Sequence, residues 1–227
     1  MYVRSQKRFS IPEAVLLDHT VTYKAFSLRS LPARKRKGDI LRIVKGMTAD
    51  TYADVGCSTG YITDMVAEAV GAKTVIGYDR LNVFPGIYRE LDISKDIPEK
   101  ADLLTCFETI EHVPSPTDAV TNLLKSGSRT IIISVPIETG LYGFLKTLIR
   151  TYRYNDPPHQ LNVSTGRYLW LTLFGSIRGT RVPAAVYSSH CGFDYRVIDE
   201  ALAGTNFRAV NKGSTRFYII EPASTPA

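Results

Sequence analysis

Two short stretches of this 227-residue chain concentrate the side chains that could do chemistry. The first, ADVGCSTGYIT at residues 53–63, sets Gly56, Ser58 and Gly60 between a β-rich run and a helical pattern. Read as G-x-S-x-G, it is a nucleophile elbow in which Ser58 attacks and a later carboxylate and His190 complete the required order. Against that, only a basic segment precedes it, with no glycine-rich oxyanion stretch. Read as a dinucleotide fingerprint, it lacks the central glycine that lets a backbone approach a pyrophosphate, and Asp54 would set a carboxylate near the phosphates. The plainest alternative is an ordinary tight turn from strand to helix.

A ligand that carries adenosine without phosphates, and a cationic group to face Asp54, escapes both objections. S-adenosylmethionine is such a ligand: its amino group and sulfonium tolerate the carboxylate, and its own carboxylate suits the N–H groups of a helix start. The spacing to the next element agrees. Asp79 ends the run TVIGYD, 19 residues after Gly60, where a carboxylate can accept from both ribose hydroxyls. Asp92, in ELDI, could accept from an adenine amino group, with Ile93 against the ring.

The second stretch is TCFETIEHVPSP, residues 105–116. If it is helical, Glu108, Glu111 and His112 at i, i+3 and i+4 converge and make an oxygen-rich site for Mg2+ or Mn2+. A metal there would lower the pKa of a bound substrate hydroxyl. Alternatively, the carboxylates only favour a helix N-terminus and His112 packs locally. His159, in DPPHQLNVST, is a candidate general base or further ligand, whereas His190, beside a helix start in SSHCGFDY, reads first as structural.

These residues need a scaffold, and the flanking pattern supplies one. Runs 51–55, 74–78, 87–91, 102–107 and 130–135 are β-branched or aromatic and bounded by turn residues, so they read as strands. Between them, 60–70 and 115–126 read as helices, the latter with Ser115 as N-cap and Pro116 at the first helical position. Alternation of this kind means a parallel sheet covered by helices. A helix over 195–203 and runs 206–212 and 215–220 around Gly213-Ser214 predict a closing antiparallel hairpin with one reversed strand. Residues 12–46 carry helical patterns expected to cover one edge of the sheet. Residues 137–192 are too long for a structureless loop and read as a helical lid. The tail after Glu221 reads as loose.

Composition bounds the rest. A hydrophobic content of 44% is enough for a real core and excludes a disordered chain. Three cysteines without C-x-x-C spacing make neither a disulfide framework nor a zinc ribbon. The first twenty residues carry charge but no apolar run of signal length, and no run of roughly 18 apolar residues occurs, so the expectation is a cytoplasmic protein, at most peripheral to a membrane. The net charge of +6 is uneven: residues 1–46 hold eleven Lys/Arg against three Asp/Glu, residues 47–138 seven against fourteen, and residues 139–182 six against one. Two basic segments bracketing an acidic middle favour an anionic partner, or are solvated helix faces.

Taken in order, DVGCSTG, YD, LDI and DLLTCFETIEHVPSP resemble a class I S-adenosylmethionine-dependent methyltransferase over about residues 50–136. The resemblance implies a single α/β domain: a Rossmann-like, doubly wound, seven-stranded sheet of order 3-2-1-4-5-7-6 with the seventh strand antiparallel. By position it implies that Asp54, Gly56, Cys57, Ser58 and Gly60 cradle the methionine part, Asp79 the ribose, and Asp92 and Ile93 the adenine. Phe107 and Glu108 would border the methyl group. Ser58 departs from the usual glycine. The segment around Glu108, Glu111 and His112 is similar to that of ubiquinone-pathway O-methyltransferases, and E-x-x-E-H resembles the metal-binding motif of small-RNA 2′-O-methyltransferases.

The reaction so implied is an in-line displacement in which the protein aligns a nucleophile and excludes water, with a hydroxyl acceptor helped by His112 or His159. The resemblance places acceptor choice in the lid. There the aromatics Tyr142, Phe144, Tyr152, Tyr154, Trp170 and Phe174, mixed with Lys and Arg, suit a small-molecule, glycan or lipid-linked acceptor or a membrane surface, or are simply the lid's own core. An RNA acceptor is the alternative, and requires the basic N-terminal block to form one stripe.

Overall fold

The computed structural model describes residues 31–80, 88–153 and 155–221. Five short strands, β1 (Thr51–Val55), β2 (Thr74–Asp79), β3 (Tyr88–Glu90), β4 (Leu103–Phe107) and β5 (Thr130–Pro136), lie parallel. A closing hairpin, β6 (Phe207–Lys212) and β7 (Thr215–Ile220), turns at Gly213-Ser214 and lays β7 antiparallel against β5. The order is β3-β2-β1-β4-β5-β7-β6, as the resemblance implied. The chain leaves β1 towards one edge and returns at β4 to build the other, so a crevice opens beyond the carboxyl ends of β1 and β4, where open α/β sheets bind ligands.

Strand alternation assigns the two faces. Tyr52, Leu103, Ile132 and Phe217 point to a layer built by α1 (Leu31–Val44) and α2 (Tyr61–Val70), against Ile40, Val44, Val66 and Val70. Their neighbours Ala53, Val55, Leu104, Cys106, Ile131 and Ile133 point the other way. They meet Ala119, Val120 and Leu123 of α3 (Pro116–Lys125) and Ile198 of α6 (Arg196–Ala201). Ser115 caps α3 by accepting from the Asp118 N–H, with Pro116 in the first turn.

The basic N-terminal segment was expected to cover an edge of the sheet. Its described part, α1, lies over the face, because Ile40 and Val44, four residues apart and both fully buried, reach strands in the middle of the sheet. The expected helical patterns between 12 and 30, and the tail after Glu221, lie outside the described residues. The excursion after β5 is helical: α4 (Gly140–Arg153) and α5 (Thr165–Phe174) pack on each other, and a bridge pairs Leu161 with Arg181. The lid has its own small core of Tyr168, Ile177 and Cys191. Tyr142, Tyr152, Trp170 and Phe174, which could have formed that core, are instead exposed. No described helix is long and apolar enough to cross a membrane.

If α1 is part of the core, Ile40→Ala should cost about 2–4 kcal/mol in urea unfolding, as for other fully buried aliphatic truncations. Val182→Ala, at an exposed site on the lid, should cost under about 0.5 kcal/mol.

Candidate active site

The turn after β1 is built from left-handed backbone. Gly56, Ser58 and Gly60 have φ of 79°, 47° and 72°. At Gly56 a side chain is also sterically excluded, since a Cβ would lie 2.8 Å from Thr109 Cβ and closer still to its Oγ1 and Cγ2. The Gly56 and Cys57 N–H groups both donate to the Tyr78 carbonyl, at 2.7 and 3.1 Å, which wraps the loop over the end of β2. Asp79 stands at that end and accepts from the Ser58 N–H at 2.9 Å. The Ser58 backbone thus pays a conformational cost that glycine would not, in exchange for this contact.

The turn forms one wall of a cleft with an empty volume of about 600 Å³, mouth included, lined by Asp54, Gly56, Cys57, Ser58 and Thr59. Arg36 and Ile40 of α1, Tyr61 and Ile62 of α2, and Phe107 and Glu108 beyond β4 complete it. Asp54 is buried, and its two oxygens accept from the Thr63 and Thr105 hydroxyls, each at 2.6 Å. Burial pushes its carboxyl up to about 6 despite those two donors. Burial likewise pushes the Cys57 thiol up, so it is no nucleophile near neutral pH.

Not every expected cofactor residue reaches this cleft. Ile93 is 2% exposed and packs in the core beneath α3, its carbonyl accepting from Asn122 Nδ2 at 2.9 Å. Asp92 closes a local turn, accepting from the Ser94 hydroxyl at 2.6 Å and lying 3.2 Å from Lys95 Nζ. The Ser94 hydroxyl, then Lys95, hold its carboxyl below the usual range. Its link to the site is indirect: the preceding Leu91 N–H donates to the Asp79 carbonyl at 2.9 Å.

The second stretch is not a regular helix. Glu108 has a left-handed φ of 49°, and only Ile110–His112 forms a single tight turn. The i, i+3, i+4 convergence therefore fails at its first member. Glu108 faces the cleft, 3.0 Å from Arg36 Nη2, while Glu111 and His112 turn the other way and meet His190. One ligand atom from each of Glu111, His112 and His190 lies within 4.8 Å of the others. His190, read from sequence as structural, is thus the third member in place of Glu108. His159 is exposed, 3.3 Å from Ser188 Oγ, and does not join the group.

Each member of the cluster is oriented from behind. His112 Nδ1 lies 2.6 Å from the Tyr187 carbonyl, which can only accept, so Nδ1 carries the proton and Nε2, 3.9 Å from Glu111 Oε1, keeps its lone pair. His190 Nε2 lies 3.7 Å from the same oxygen, and its Nδ1 lies 3.6 Å from Glu138 Oε1. Glu138 is 1% exposed and paired with Lys146 of α4. Burial pushes its carboxyl up, but the hydrogen bond to His190 and the Lys146 charge win and hold it at about 2. Glu111 is fully buried, yet neither of its oxygens has a hydrogen-bond partner. Burial, then the Glu108 charge, push its carboxyl well above the usual range. Arg181 ties the assembly together: it donates to the carbonyls of Glu111, Ser189 and Cys191, at 2.7, 3.0 and 2.7 Å, with its guanidinium 4.2 Å from the Tyr187 ring centre.

Arg36, Glu138 and Arg181 escaped the sequence reading. Arg36 is one of four consecutive cations, and only the rotation of α1 decides which one faces the cleft. Glu138 and Arg181 lie in the lid, where sequence supplied no register.

A family model for methyltransferase domains matches residues 21–210. The chain belongs to that family. It is a methyltransferase domain of the class I, Rossmann-like type, a family that gives the hydrolase reading of Ser58 no support. A ubiquinone biosynthesis O-methyltransferase of Pseudomonas savastanoi pv. phaseolicola is 27% identical over 109 residues, covering 40% of this chain and 46% of that protein. A putative methyltransferase, 235L, of Invertebrate iridescent virus 6 is 26% identical over 113 residues, covering 44% and 43%. The chain therefore spans about half the length of the curated relatives it matches. Among solved structures, the small RNA methyltransferase HEN1 shares the fold with a TM-score of 0.54 at 14% identity, over 86% of this chain and 26% of that one.

The Asp54 carboxyl, at about 6 folded against 3.8 ordinarily, binds its proton more tightly in the native state. Its contribution to stability should therefore fall as pH rises from about 4 to 6 and level off above. Asp54→Asn removes this dependence, so the stability of the wild type relative to the variant should drop by up to about 3 kcal/mol between pH 4 and 7 in parallel urea titrations. A gap independent of pH would contradict burial as the cause.

Proposed function

We propose that this methyltransferase transfers the methyl group to a hydroxyl of a small-molecule, glycan or lipid-linked acceptor, with a divalent cation held by Glu111, His112 and His190. The observation that carries the reading is the Glu111 carboxylate, fully buried with no hydrogen bond to either oxygen and faced by the Nε2 atoms of two imidazoles. A buried carboxyl without a partner is costly, and a cation with mixed oxygen and nitrogen ligands relieves that cost. Such an ion supplies Lewis acidity that favours the ionised acceptor hydroxyl.

The cleft fits the cofactor by charge. S-adenosylmethionine supplies an electrophilic methyl on a sulfonium and carries one carboxylate and one ammonium group besides. The lining offers one guanidinium, Arg36, and two carboxyls, Asp54 and Glu108. Arg36 suits the carboxylate, Asp54 and Glu108 the cationic centres, and Asp79, beside the glycine turn, the ribose. Phe107 shields the reacting end from water. Glu108 and Glu111, three residues apart, face the cleft and the imidazole cluster respectively, so the segment joining them separates donor from acceptor by one turn of chain. His112 and His190 serve as ligands, with Tyr187 and Glu138 fixing their rings. His159, exposed on the lid, is left a contact to the acceptor at most.

The RNA reading is favoured by one feature, the E-x-x-E-H segment with its added imidazole, and is separable by salt. Phosphate contacts would make activity fall steeply between low and moderate salt, whereas a neutral glycan acceptor would be insensitive.

Two titrations test the proposal. Calorimetry with S-adenosylmethionine should show binding that Asp79→Ala weakens at least about tenfold. Arg36→Ala should weaken it by a similar factor while leaving 5′-methylthioadenosine, which has no carboxylate, unaffected. Equal losses for both ligands would remove Arg36 from that role. Separately, Mn2+ binding followed by electron paramagnetic resonance should weaken at least about tenfold in Glu111→Gln and in His190→Ala with cofactor affinity retained. Absence of Mn2+ binding to the wild type, with activity unchanged by chelator, would leave a metal-free methyltransferase.

A further inference from the structure

The lid helix α4 is built inside out. Its fully buried positions are small or polar: they are Gly143 and Thr147, and a Cβ at Gly143 would collide with the Glu138 carbonyl. Five of its seven large apolar side chains point outward, among them Leu141 at 64% exposure, Leu145 at 45%, Ile149 at 52% and Tyr152 at 76%, while Phe144 and Leu148 are half-buried. At 100° per residue, positions 141, 145, 149 and 152 fall on one stripe. A surface helix of a globular domain has the opposite polarity. The adjoining α5 repeats the pattern: Trp170 and Phe174 are half or more exposed, their ring centres are 6.1 Å apart, and Arg167 lies over the indole at 4.8 Å. Of ten large hydrophobic residues exposed among the described residues, seven belong to these two helices.

From this geometry we infer that the exposed faces of α4 and α5 dock on an anionic lipid surface. Charge decides the occupant. Neither helix contains an Asp or Glu, and Arg153 and Arg167 are exposed, whereas Lys146 and Arg150 are half-buried and paired with Glu138 and Asp156. A second copy meeting through these faces would bring arginines together, whereas an anionic bilayer pairs with them and receives the aliphatic stripe and the indole at headgroup depth. The indole lying under a guanidinium suits that boundary, where one end of the side-chain pair is wet and the other dry. This inference does not rest on the acceptor or the metal. It does place the Lys146–Glu138–His190 contacts directly beneath the docked helix.

Trp170 is the chain's single tryptophan and so reports the event without labelling. Vesicles of phosphatidylcholine mixed with phosphatidylglycerol, added to the full chain, should shift its emission to the blue and carry the protein down on sedimentation. Partitioning should be at least about tenfold stronger than onto phosphatidylcholine alone, and should weaken with added salt. Ile149→Asp should abolish sedimentation, and Arg167→Ala should reduce the preference for anionic vesicles, both with S-adenosylmethionine affinity retained as evidence of folding. An unshifted emission, vesicle binding that survives Ile149→Asp, or a concentration-dependent dimer that Ile149→Asp dissolves would each overturn the inference.

Discussion

The contact of Gly56 with Thr109 is the constraint around which the rest is arranged. The glycine turn can approach the segment after β4 only because position 56 has no side chain, and the Thr109 hydroxyl, in the space a Cβ would take, donates to the Phe107 carbonyl at 3.0 Å. Two loops that could otherwise splay apart are thereby packed on each other. One carries the residues that line the cofactor cleft. The other continues, within three residues of Thr109, into Glu111 and His112. The parallel order of β1 beside β4 brings the loops to the same end of the sheet, and the missing methyl lets them touch.

Buried acids around this contact are treated in three ways. Asp54 receives two hydroxyl donors and keeps an upshifted carboxyl that still ionises near neutrality. Glu138 receives a full positive charge from Lys146 and an imidazole, so it is ionised despite complete burial. Glu111 receives no side-chain hydrogen bond and no Lys or Arg partner among the described residues, and imidazole nitrogens lie 3.7 and 3.9 Å from its Oε1. Unsatisfied burial costs on the order of 1–3 kcal/mol; Glu108, likewise without a hydrogen bond, has Arg36 at 3.0 Å, whereas Glu111 has no Lys or Arg that close among the described residues, which points to function at that position. Arg181 supports this by saturating the carbonyls on both sides of His190 and that of Glu111 itself, which orders the cluster without neutralising it from within hydrogen-bond distance of the carboxylate.

The lid connects that chemistry to the surface. Lys146 reaches inward from α4 to Glu138, while the large apolar residues of the same helix face out. One element thus braces His190 and presents an apolar exterior, so whatever covers α4 also bears on the cluster beneath it.

Sequence by itself determined the sheet, its reversed last strand, the capped helix at Ser115 and the glycine turn with Asp79 beside it. Those features follow from local periodicity and turn chemistry, which act over a few residues. The expectations that failed depended on relations across longer distances. Glu108 left the proposed metal group because a left-handed residue breaks the helix that would have aligned it with Glu111. His190 entered it because the lid folds back 78 residues later in the chain, which no spacing rule encodes. Ile93 went to the core and Arg36 to the cleft because the packing of whole helices, not their composition, sets which side faces in. The lid aromatics exposed on α4 and α5 were legible as residues, but only the tertiary structure could show that they face outward, since the same apolar stripe serves equally to bury a helix in a core or to present it to a partner.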